Sequence, residues 1–413
     1  HIASLAGLPG VSLARDLVQK VKEREQERDA FLSTLGGDEY ETETGPFWVR
    51  RRLYSLDRLP YKVWDIDGET ISRLGRDESL RVLDPSRTIF IDTETTGLAG
   101  GTGTYPFLVG VGRFVDEGFA VTQYLMRDYD EELAMLGGLA ADLHSASALV
   151  SFNGKCFDVP LLSTRFRMNR CPQVVDSLLH FDLLHPARRL WRHRCESCAL
   201  LNLESLLLEH RREVDVPGSQ IPQIYFDFVR GLRIDRMRTV LEHNLEDIRS
   251  LAMMTAKACR LYRSPESEAS HPLDWFNLGR SFMGDRDSER ACLCLKRSLE
   301  SDLPAELRWT AMRDYSLLLK RAKDYAGATH VWLDMFEDSD RFHPFPYEEL
   351  AKYYEHVARE PQRALVLVKD ALKNLESLSS QIYDRTEVPF RIEFVRKDFM
   401  FRLKRLMRKV DTA

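Results

Sequence analysis

Two acidic side chains alternate along a strand-like stretch just before a run of glycines. The stretch reads FIDTETTGLAGGTGTYPF, residues 90–107, and places Asp92 and Glu94 two positions apart. Successive side chains on a strand point to opposite faces, so these two carboxylates share one face. Like charges this close are costly unless a cation neutralises them, and oxygen ligands suit magnesium or manganese. The pair alone is also typical of a solvated strand.

The glycines after these acids raise a second hypothesis, a loop that cradles nucleotide phosphates. A P-loop needs Lys followed by Ser or Thr after its last glycine, whereas Thr104, Tyr105 and Pro106 follow Gly103. A dinucleotide-binding turn leads directly into a helix, whereas FLVGVGRFV, residues 107–115, has a strand pattern. The glycines therefore favour a tight β-hairpin whose backbone stays open to a ligand.

Further acids follow on two predicted helices. SFNGKCFDVPLL places Asp158 in the first turn of a helix that follows a strand and a turn, where the helix dipole favours negative groups. VLEHNLEDIRSL places His243 and Asp247 four residues apart, and this spacing puts both on one helix face. Each motif alone also fits a solvated surface. The three motifs in this order are stronger evidence for a metal site than any one of them.

The order of these motifs, D-x-E-T-T-G-L, N-G-x-x-F-D and H-N-x-x-D, resembles the three exonuclease motifs of the DEDD superfamily. The match is closest to its YprB-like branch and covers residues 40–258. The resemblance implies an α/β ribonuclease H-like nuclease core, a mixed five-stranded sheet flanked by helices. It also implies 3′→5′ hydrolysis of nucleic acid with two magnesium or manganese ions.

The resemblance also assigns roles to single residues. The side chains expected to bind the metals are Asp92, Glu94, Asp158 and Asp247. His243 would orient or deprotonate the attacking water. It lies four residues before Asp247, the spacing of the tyrosine subclass, whereas the histidine subclass has five. The residues expected at the terminal nucleotide are Thr95, Thr96, Gly97, Leu98 and Asn153.

A basic stretch, HPARRLWRHR at residues 185–194, offers a second kind of nucleic-acid contact. Arg188 and Arg192 would follow the phosphates, and Trp191 would stack on a base. A solvated loop is the alternative interpretation of the same residues.

Composition sets the broad class of this chain of 413 residues. A net charge of −5 argues against a uniformly basic nucleic-acid binder and leaves room for a local basic groove. The apolar runs are too short for a membrane span, which needs about 20 residues. The start, HIASLAGLPG, lacks the basic region of a signal peptide and indicates a trimmed chain. Seven cysteines without framework spacing favour reduced thiols and a cytoplasmic location.

The pattern of elements predicts five segments. The last part is wholly helical, and Trp275, Leu278, Gly279 and Phe282 have the spacing of a tetratricopeptide repeat. The predicted segments are a helical and extended leader at 1–84, a ribonuclease H-like exonuclease domain at 85–262, a polar linker at 263–270, tetratricopeptide-like repeats at 271–376 and a basic C-terminal helix at 377–413.

These features together predict a metal-dependent 3′→5′ exonuclease that acts on single-stranded DNA or RNA ends. The repeats predict a protein partner or self-association, and no membrane partner is expected. Two alternatives stay open: a structure-specific endonuclease on the same fold, and a catalytically silent scaffold that binds nucleic acid. The presence of all four acids argues against the scaffold.

Overall fold

The chain forms two compact units, His1–Glu268 and Ala269–Ala413. A computed structural model describes residues 9–97, 102–209, 212, 215–337, 342–382 and 390–411. The first unit is built on a mixed sheet, and the second is helical.

Seven strands form one sheet in the first unit. They are β1 (Gly37–Thr42), β2 (Gly45–Ser55), β3 (Thr88–Thr95), β4 (Pro106–Val115), β5 (Gly118–Leu125), β6 (Ala148–Ser151) and β7 (Leu179–Asp182). Their order across the sheet is β1-β2-β5-β4-β3-β6-β7. The pairs β3–β6 and β6–β7 are parallel, and the other four pairs are antiparallel.

The expectation of a mixed sheet flanked by helices is confirmed, and the expected number of five strands is wrong. The two extra strands, β1 and β2, come from the predicted leader and form a hairpin that pairs with β5. Phe47, Trp48 and Val49 on β2 are buried. Without this hairpin, β5 would be an edge strand with unpaired backbone groups and an exposed apolar face.

Nine helices are described in the first unit: α1 (Pro9–Ser33), α2 (Gly68–Gly75), α3 (Glu132–His144), α4 (Asp158–Met168), α5 (Leu184–Trp191), α6 (Leu200–Leu207), α7 (Ile221–Val229), α8 (Met237–Arg263) and α9 (Pro265–Glu268). Helix α8 packs across β3, β4 and β5. On β5, Gln123 contacts α8, whereas its neighbour Tyr124 donates a hydrogen bond to Asp142 of α3. Because adjacent strand residues face opposite ways, α8 and α3 cover opposite faces of the sheet.

The described part of the second unit consists of helices that pack each against the next. They are α10 (Pro272–Gly284), α11 (Ser288–Leu299), α12 (Ala305–Arg321), α13 (Tyr325–Glu337), α14 (Pro344–His356), α15 (Pro361–Ile382) and α16 (Phe390–Asp411). At Gly279, a Cβ atom would lie 2.7 Å from Cγ of Leu295, so this small residue lets α10 approach α11 closely. The helical character of this region is confirmed, and its assignment to tetratricopeptide repeats stays a prediction.

Among the described helices, none combines the length and the apolar character that a membrane span requires.

Candidate active site

Three elements bring the four predicted metal-binding acids together. Strand β3 carries Asp92 and Glu94, Asp158 is the first residue of α4, and Asp247 lies in α8. Burial and the charges of Asp247, Glu94 and Asp158 raise the pKa of Asp92 well above its usual range. Each of these acids therefore lies within electrostatic reach of Asp92, as a shared cation site requires.

The other three carboxyl groups have the same perturbation. Burial, together with the charges of Asp247 and Asp158, raises the pKa of Glu94 well above normal. Burial also raises the pKa values of Asp158 and Asp247. The hydroxyl of Thr93 opposes this at Asp158, to which it donates a hydrogen bond. The charged forms of all four carboxyl groups are therefore disfavoured at this centre, and a bound cation would favour them.

His243 faces this centre with one ring nitrogen. Its Nε2 atom lies 3.3 Å from Oδ2 of Asp247 and 3.8 Å from Oε1 of Glu94. One donor atom from each of these three residues can be chosen so that all lie within 4.8 Å of one another. The four-residue spacing of His243 and Asp247 thus places both side chains at the centre.

A row of residues across four strands holds α8 against the sheet. In the strand register, Asp92 lies opposite Gly110, Gly110 opposite Gln123, and Gln123 opposite Arg50. Asn244 of α8 lies over this row: its Nδ2 atom donates to Oδ2 of Asp92 at 3.0 Å, and its Oδ1 atom accepts from Gln123 at 3.0 Å. The same contacts that seat the helix therefore orient Asp92.

The row has no room for a side chain on β4. A Cβ atom at Gly110 would lie 2.4 Å from Oδ1 of Asn244. At the far end of the row, the buried Arg50 pairs with Glu242 of α8 at 2.5 Å. These contacts fix the position of α8, and hence of His243 and Asp247, relative to β3.

A strained turn positions Asp158. Asn153 has a φ of +69°, a left-handed conformation that Asn tolerates. A Cβ atom at Gly154 would lie 2.5 Å from Oγ of Ser151 and 3.1 Å from Oδ2 of Asp158, so only glycine fits there. Asp182 accepts hydrogen bonds from the backbone amides of Asn153 and Lys155, at 2.8 and 3.1 Å. Asp182 thus shapes the turn that delivers Asp158.

Three charged residues at this centre were missed in the sequence analysis. Arg212, only 3% exposed, donates to Glu204 at 2.7 Å and to Oδ1 of Asp247. Asp215 Oδ1 lies 2.5 Å from Nδ1 of His243. Burial alone would raise the pKa of Asp215, but hydrogen bonding to His243 and the charges of His243 and Arg212 give a lowered value. Glu204 lies in α6. For Arg212 and Asp215, the available signal is charged residues just before Pro217 and Gly218.

Two of the predicted nucleotide contacts, Thr95 and Thr96, lie at the end of β3, where backbone groups engage both hydroxyls. Thr95 Oγ1 donates to the carbonyl of Gly97 at 2.8 Å, and Thr96 Oγ1 accepts from the amide of Tyr105 at 3.0 Å. These bonds shape the loop that follows the two acids. Leu98 lies outside the described residues. The contacts of these residues and of Asn153 with a nucleotide stay predictions.

The basic stretch around α5 needs one correction. Trp191 is fully buried in the first unit, so its ring has no exposed face on which a base could stack. The predicted role of Trp191 in nucleic-acid binding is therefore wrong. Arg188 and Arg192 are exposed, and their contact with phosphates stays a prediction.

The donor set fits divalent cations. Carboxylate oxygens are the ligands that magnesium and manganese prefer. Burial and the charges of neighbouring acids raise the pKa values of Asp92 and Glu94, and a bound cation would offset both effects. The residues that would hold such cations are Asp92, Glu94, Asp158 and Asp247. Arg212 occupies one oxygen of Asp247, Oδ1, and leaves Oδ2 on the side of His243.

Comparison with known proteins agrees with this architecture. Residues 89–259 match the RNase_H_2 family of the RNase H superfamily. A Bacillus subtilis (strain 168) protein, described as uncharacterized protein YprB, is 30% identical over 348 residues, which cover 83% of this chain and 82% of that protein.

Among solved structures, the family B DNA polymerase from the hyperthermophilic archaeon Pyrobaculum calidifontis is similar over 51% of this chain and 29% of its own, with 16% identity and a TM-score of 0.36. This chain thus matches less than a third of that polymerase. The similarity to the Bacillus protein, by contrast, extends over most of both chains, and it shows that this chain belongs to the YprB family, with an RNase H superfamily domain at residues 89–259.

Proposed function

We propose that this protein is a metal-dependent 3′→5′ exonuclease that hydrolyses phosphodiester bonds at single-stranded ends of DNA or RNA. One observation carries the proposal: four carboxylates from β3, α4 and α8 converge in a buried centre. Burial raises the pKa values of all four, and the charges of the neighbouring acids raise those of Asp92 and Glu94 further. Membership of the RNase H superfamily supports a nuclease acting on nucleic acid. The order of the three motifs favours the exonuclease class within it.

The chemistry that two divalent cations supply in such a centre is activation of water and stabilisation of negative charge on the phosphate and the leaving oxygen. The chain's own residues prepare this centre. Asn244 orients Asp92, Thr93 orients Asp158, and Arg212 orients Asp247. Preorganised ligands of this kind do not have to rearrange during the reaction.

His243 is the proposed acceptor of the water proton. Its Nε2 atom lies near Glu94 and Asp247, beside the position where a water bound near these acids would be activated to attack the phosphate. General bases contribute roughly 100- to 10,000-fold to a rate. Thr95, Thr96, Gly97, Leu98 and Asn153 are the proposed contacts to the terminal nucleotide, and Arg188 and Arg192 are proposed to follow the phosphates.

The test is degradation of 5′-labelled single- and double-stranded DNA and RNA with magnesium, with manganese and with EDTA. A 3′→5′ exonuclease gives a ladder that shortens from the 3′ end, needs the metal and stalls at a blocked 3′ end. Internal cleavage of the blocked strand would favour the endonuclease. Binding without cleavage under any metal condition would favour the silent scaffold.

The helical unit Ala269–Ala413 takes no part in this proposed chemistry. Tetratricopeptide-like repeats hold peptides or other domains on their concave faces. A protein partner or self-association through this unit is therefore the second part of the proposal. Size-exclusion chromatography with light scattering tests the self-association.

A further inference from the structure

The segment between α6 and α7 brings an unassigned carboxylate to His243. Asp215 Oδ1 lies 2.5 Å from Nδ1 of His243, on the side of the ring away from the acidic centre. The other nitrogen, Nε2, lies 3.3 Å from Asp247 Oδ2 and 3.8 Å from Glu94 Oε1. The imidazole therefore bridges Asp215 and the proposed metal-binding acids.

The chemistry of this contact selects one form of the ring. Two groups face Nδ1 of His243: the Asp215 carboxylate at 2.5 Å, which when ionised can only accept a hydrogen bond, and Nη1 of Arg212 at 3.4 Å, which can only donate. The Asp215 contact is much the shorter, so it places the proton on Nδ1. In the neutral imidazole, Nε2 then has a free lone pair that faces Glu94 and Asp247. Which ring nitrogen is protonated is set by the hydrogen bond that the other makes.

Neighbouring residues hold Asp215 in place. Val216, the next residue, is 5% exposed and packs into the main core of the first unit. Nη1 of Arg212 lies 3.5 Å from Oδ1 of Asp215, and the Arg212 guanidinium also pairs with Glu204 and Asp247. The Asp215 side chain is 23% exposed, so its removal leaves no large cavity in the core.

We propose that Asp215 is a positioning residue that acts through His243. It keeps His243 in the Nδ1-protonated form, with the Nε2 lone pair directed between Glu94 and Asp247, where the attacking water is activated. This role rests on the proposed function, because it matters for hydrolysis only if His243 accepts the proton of that water.

The kinetic test replaces Asp215 with Asn. Asp215→Asn should lower kcat about 10- to 100-fold, the usual effect of losing a carboxylate that orients a functional histidine, and leave KM and the Mn²⁺ affinity of the metal-free protein unchanged. In a His243→Ala background, Asp215→Asn should cause no further loss. Asp235→Asn, which removes an exposed aspartate of the same unit, is the matched control and should have no effect on kcat.

The spectroscopic test needs neither metal nor substrate. In ¹⁵N-labelled, metal-free protein, the His243 imidazole should have Nδ1 protonated, and Asp215→Asn should shift the population towards the Nε2-protonated form. Asp215→Ser serves the same comparison if the Asn variant does not fold. An unchanged tautomer, or a loss in kcat that adds to that of His243→Ala, would contradict the proposal.

A tenfold loss of Mn²⁺ affinity in Asp215→Asn would also overturn it, because His243 would then be a metal ligand. If the wild-type protein cleaves none of the substrates, the proposed function fails. The tautomer measurement would in that case still decide whether Asp215 controls His243.

Discussion

Asp92 faces the carboxyl groups of Glu94, Asp158 and Asp247, and burial and these charges raise its pKa well above the usual range. Between the unfolded pKa near 4 and the raised folded value, the folded protein binds more protons than the unfolded one. Without metal, the free energy of unfolding therefore falls as pH rises through this window. Ionised Asp92 is destabilising until a cation binds.

This gives opposite expectations for stability and activity in Asp92→Asn. The amide keeps the volume and can still accept from Asn244, so the melting temperature in EDTA at pH 7.5 should rise by about 2–4 °C. The gain should be smaller at pH 5, because the share of folded wild type with a protonated Asp92 increases as pH falls. Hydrolysis should be almost abolished, and manganese should stabilise the wild type more than the variant.

Thermal melts at both pH values, with EDTA or manganese, check the stability part, and Asp235→Asn is the control for loss of one exposed charge. Wild-type turnover of Asp92→Asn at saturating manganese would contradict the assignment of Asp92 as a metal ligand. Glu94→Gln, Asp158→Asn and Asp247→Asn should also lose most cleavage without unfolding.

Arg188 and Arg192 test the predicted phosphate contacts. Replacing both with Ala should weaken binding of single-stranded nucleic acid and reduce the slope of log K against log salt by about 0.7 for each lost contact. Fluorescence anisotropy at several salt concentrations measures the slope. Arg87→Ala with Arg238→Ala removes two other exposed arginines of the unit and should leave it unchanged. An equal change in both double variants would indicate a nonspecific effect of net charge.

The acids were predictable because their types, order and spacing repeat a known pattern. Asp215 and Arg212 were not predictable, because the sequence around them has no helical or strand periodicity that would assign them to one face of an element. The error at Trp191 had a visible warning: Leu184, Ala187, Leu190 and Trp191 recur at helical spacing, which is typical of a buried face. All four are buried in α5.

At the level of elements, the contact of α8 with β4 sets the distance between the acids. Gly110→Ala would place a Cβ atom 2.4 Å from Asn244 Oδ1 and 2.9 Å from Cγ1 of Ile248. We expect α8 to shift outwards, at a cost of about 1–3 kcal/mol in the free energy of unfolding. Because Asp247 moves with the helix, Mn²⁺ affinity should also fall.

Gly137→Ala is the matched control for this substitution. A Cβ atom at Gly137 meets no atom within 4 Å, and Gly137 lies inside α3, where Ala should stabilise by about 0.5–1 kcal/mol. Denaturant unfolding and Mn²⁺ titration compare the two variants. Unchanged Mn²⁺ affinity in Gly110→Ala would mean that the centre does not depend on the position of α8.

In the second unit, Glu355 of α14 forms ion pairs with α16. Its side chain is fully buried and contacts Arg402, Arg405 and Lys409 of α16. Burial alone would raise the pKa of Glu355, but hydrogen bonds from Arg405 and Lys409, with their charges, lower it to about 2. The stabilisation is therefore present above the unfolded pKa near 4.5 and is lost as pH falls from there towards 2.

Glu355→Gln should accordingly cost about 1.5–3 kcal/mol at neutral pH. Hydrogen exchange of the α16 amides should increase, and the difference in stability from the wild type should disappear as pH falls from 4.5 to 2. Glu360→Gln breaks an exposed pair with Arg363 and should change stability by less than about 1 kcal/mol. Equal effects of both substitutions would show that burial of Glu355 contributes nothing.

The expected five-stranded sheet lacked β1 and β2 because local sequence patterns do not show which strands pair. The strand character of ETETGPFWVRRRLY was visible in its alternation, but alternation does not identify a partner strand. The pairing of β2 with β5 joins residues 48–55 to residues 118–125, across a sequence distance that local patterns do not report. The strand order β5-β4-β3 pairs strands that follow one another along the chain and was easier to anticipate.

At the level of the whole molecule, the division between Glu268 and Ala269 predicts that the first unit folds alone. A chain that ends after Glu268 keeps the ion pair of Arg260 with Glu268, in which Nε lies 2.9 Å from Oε1. A chain that ends at Arg263 loses this pair. The longer chain should bind Mn²⁺ and hydrolyse short single strands. Insolubility, or a folded protein inactive on substrates that the full chain cleaves, would contradict the division.

The placement of the acids has a consequence for the protein during its synthesis. Asp92 and Glu94 are translated early, whereas Asn244 and Asp247, which complete the centre, lie in the last long helix of the first unit. A nascent chain that has not yet released α8 from the ribosome therefore cannot hold the full set of acids. The proposed nuclease would gain its activity in a single late step, and translation intermediates would be harmless to nearby RNA.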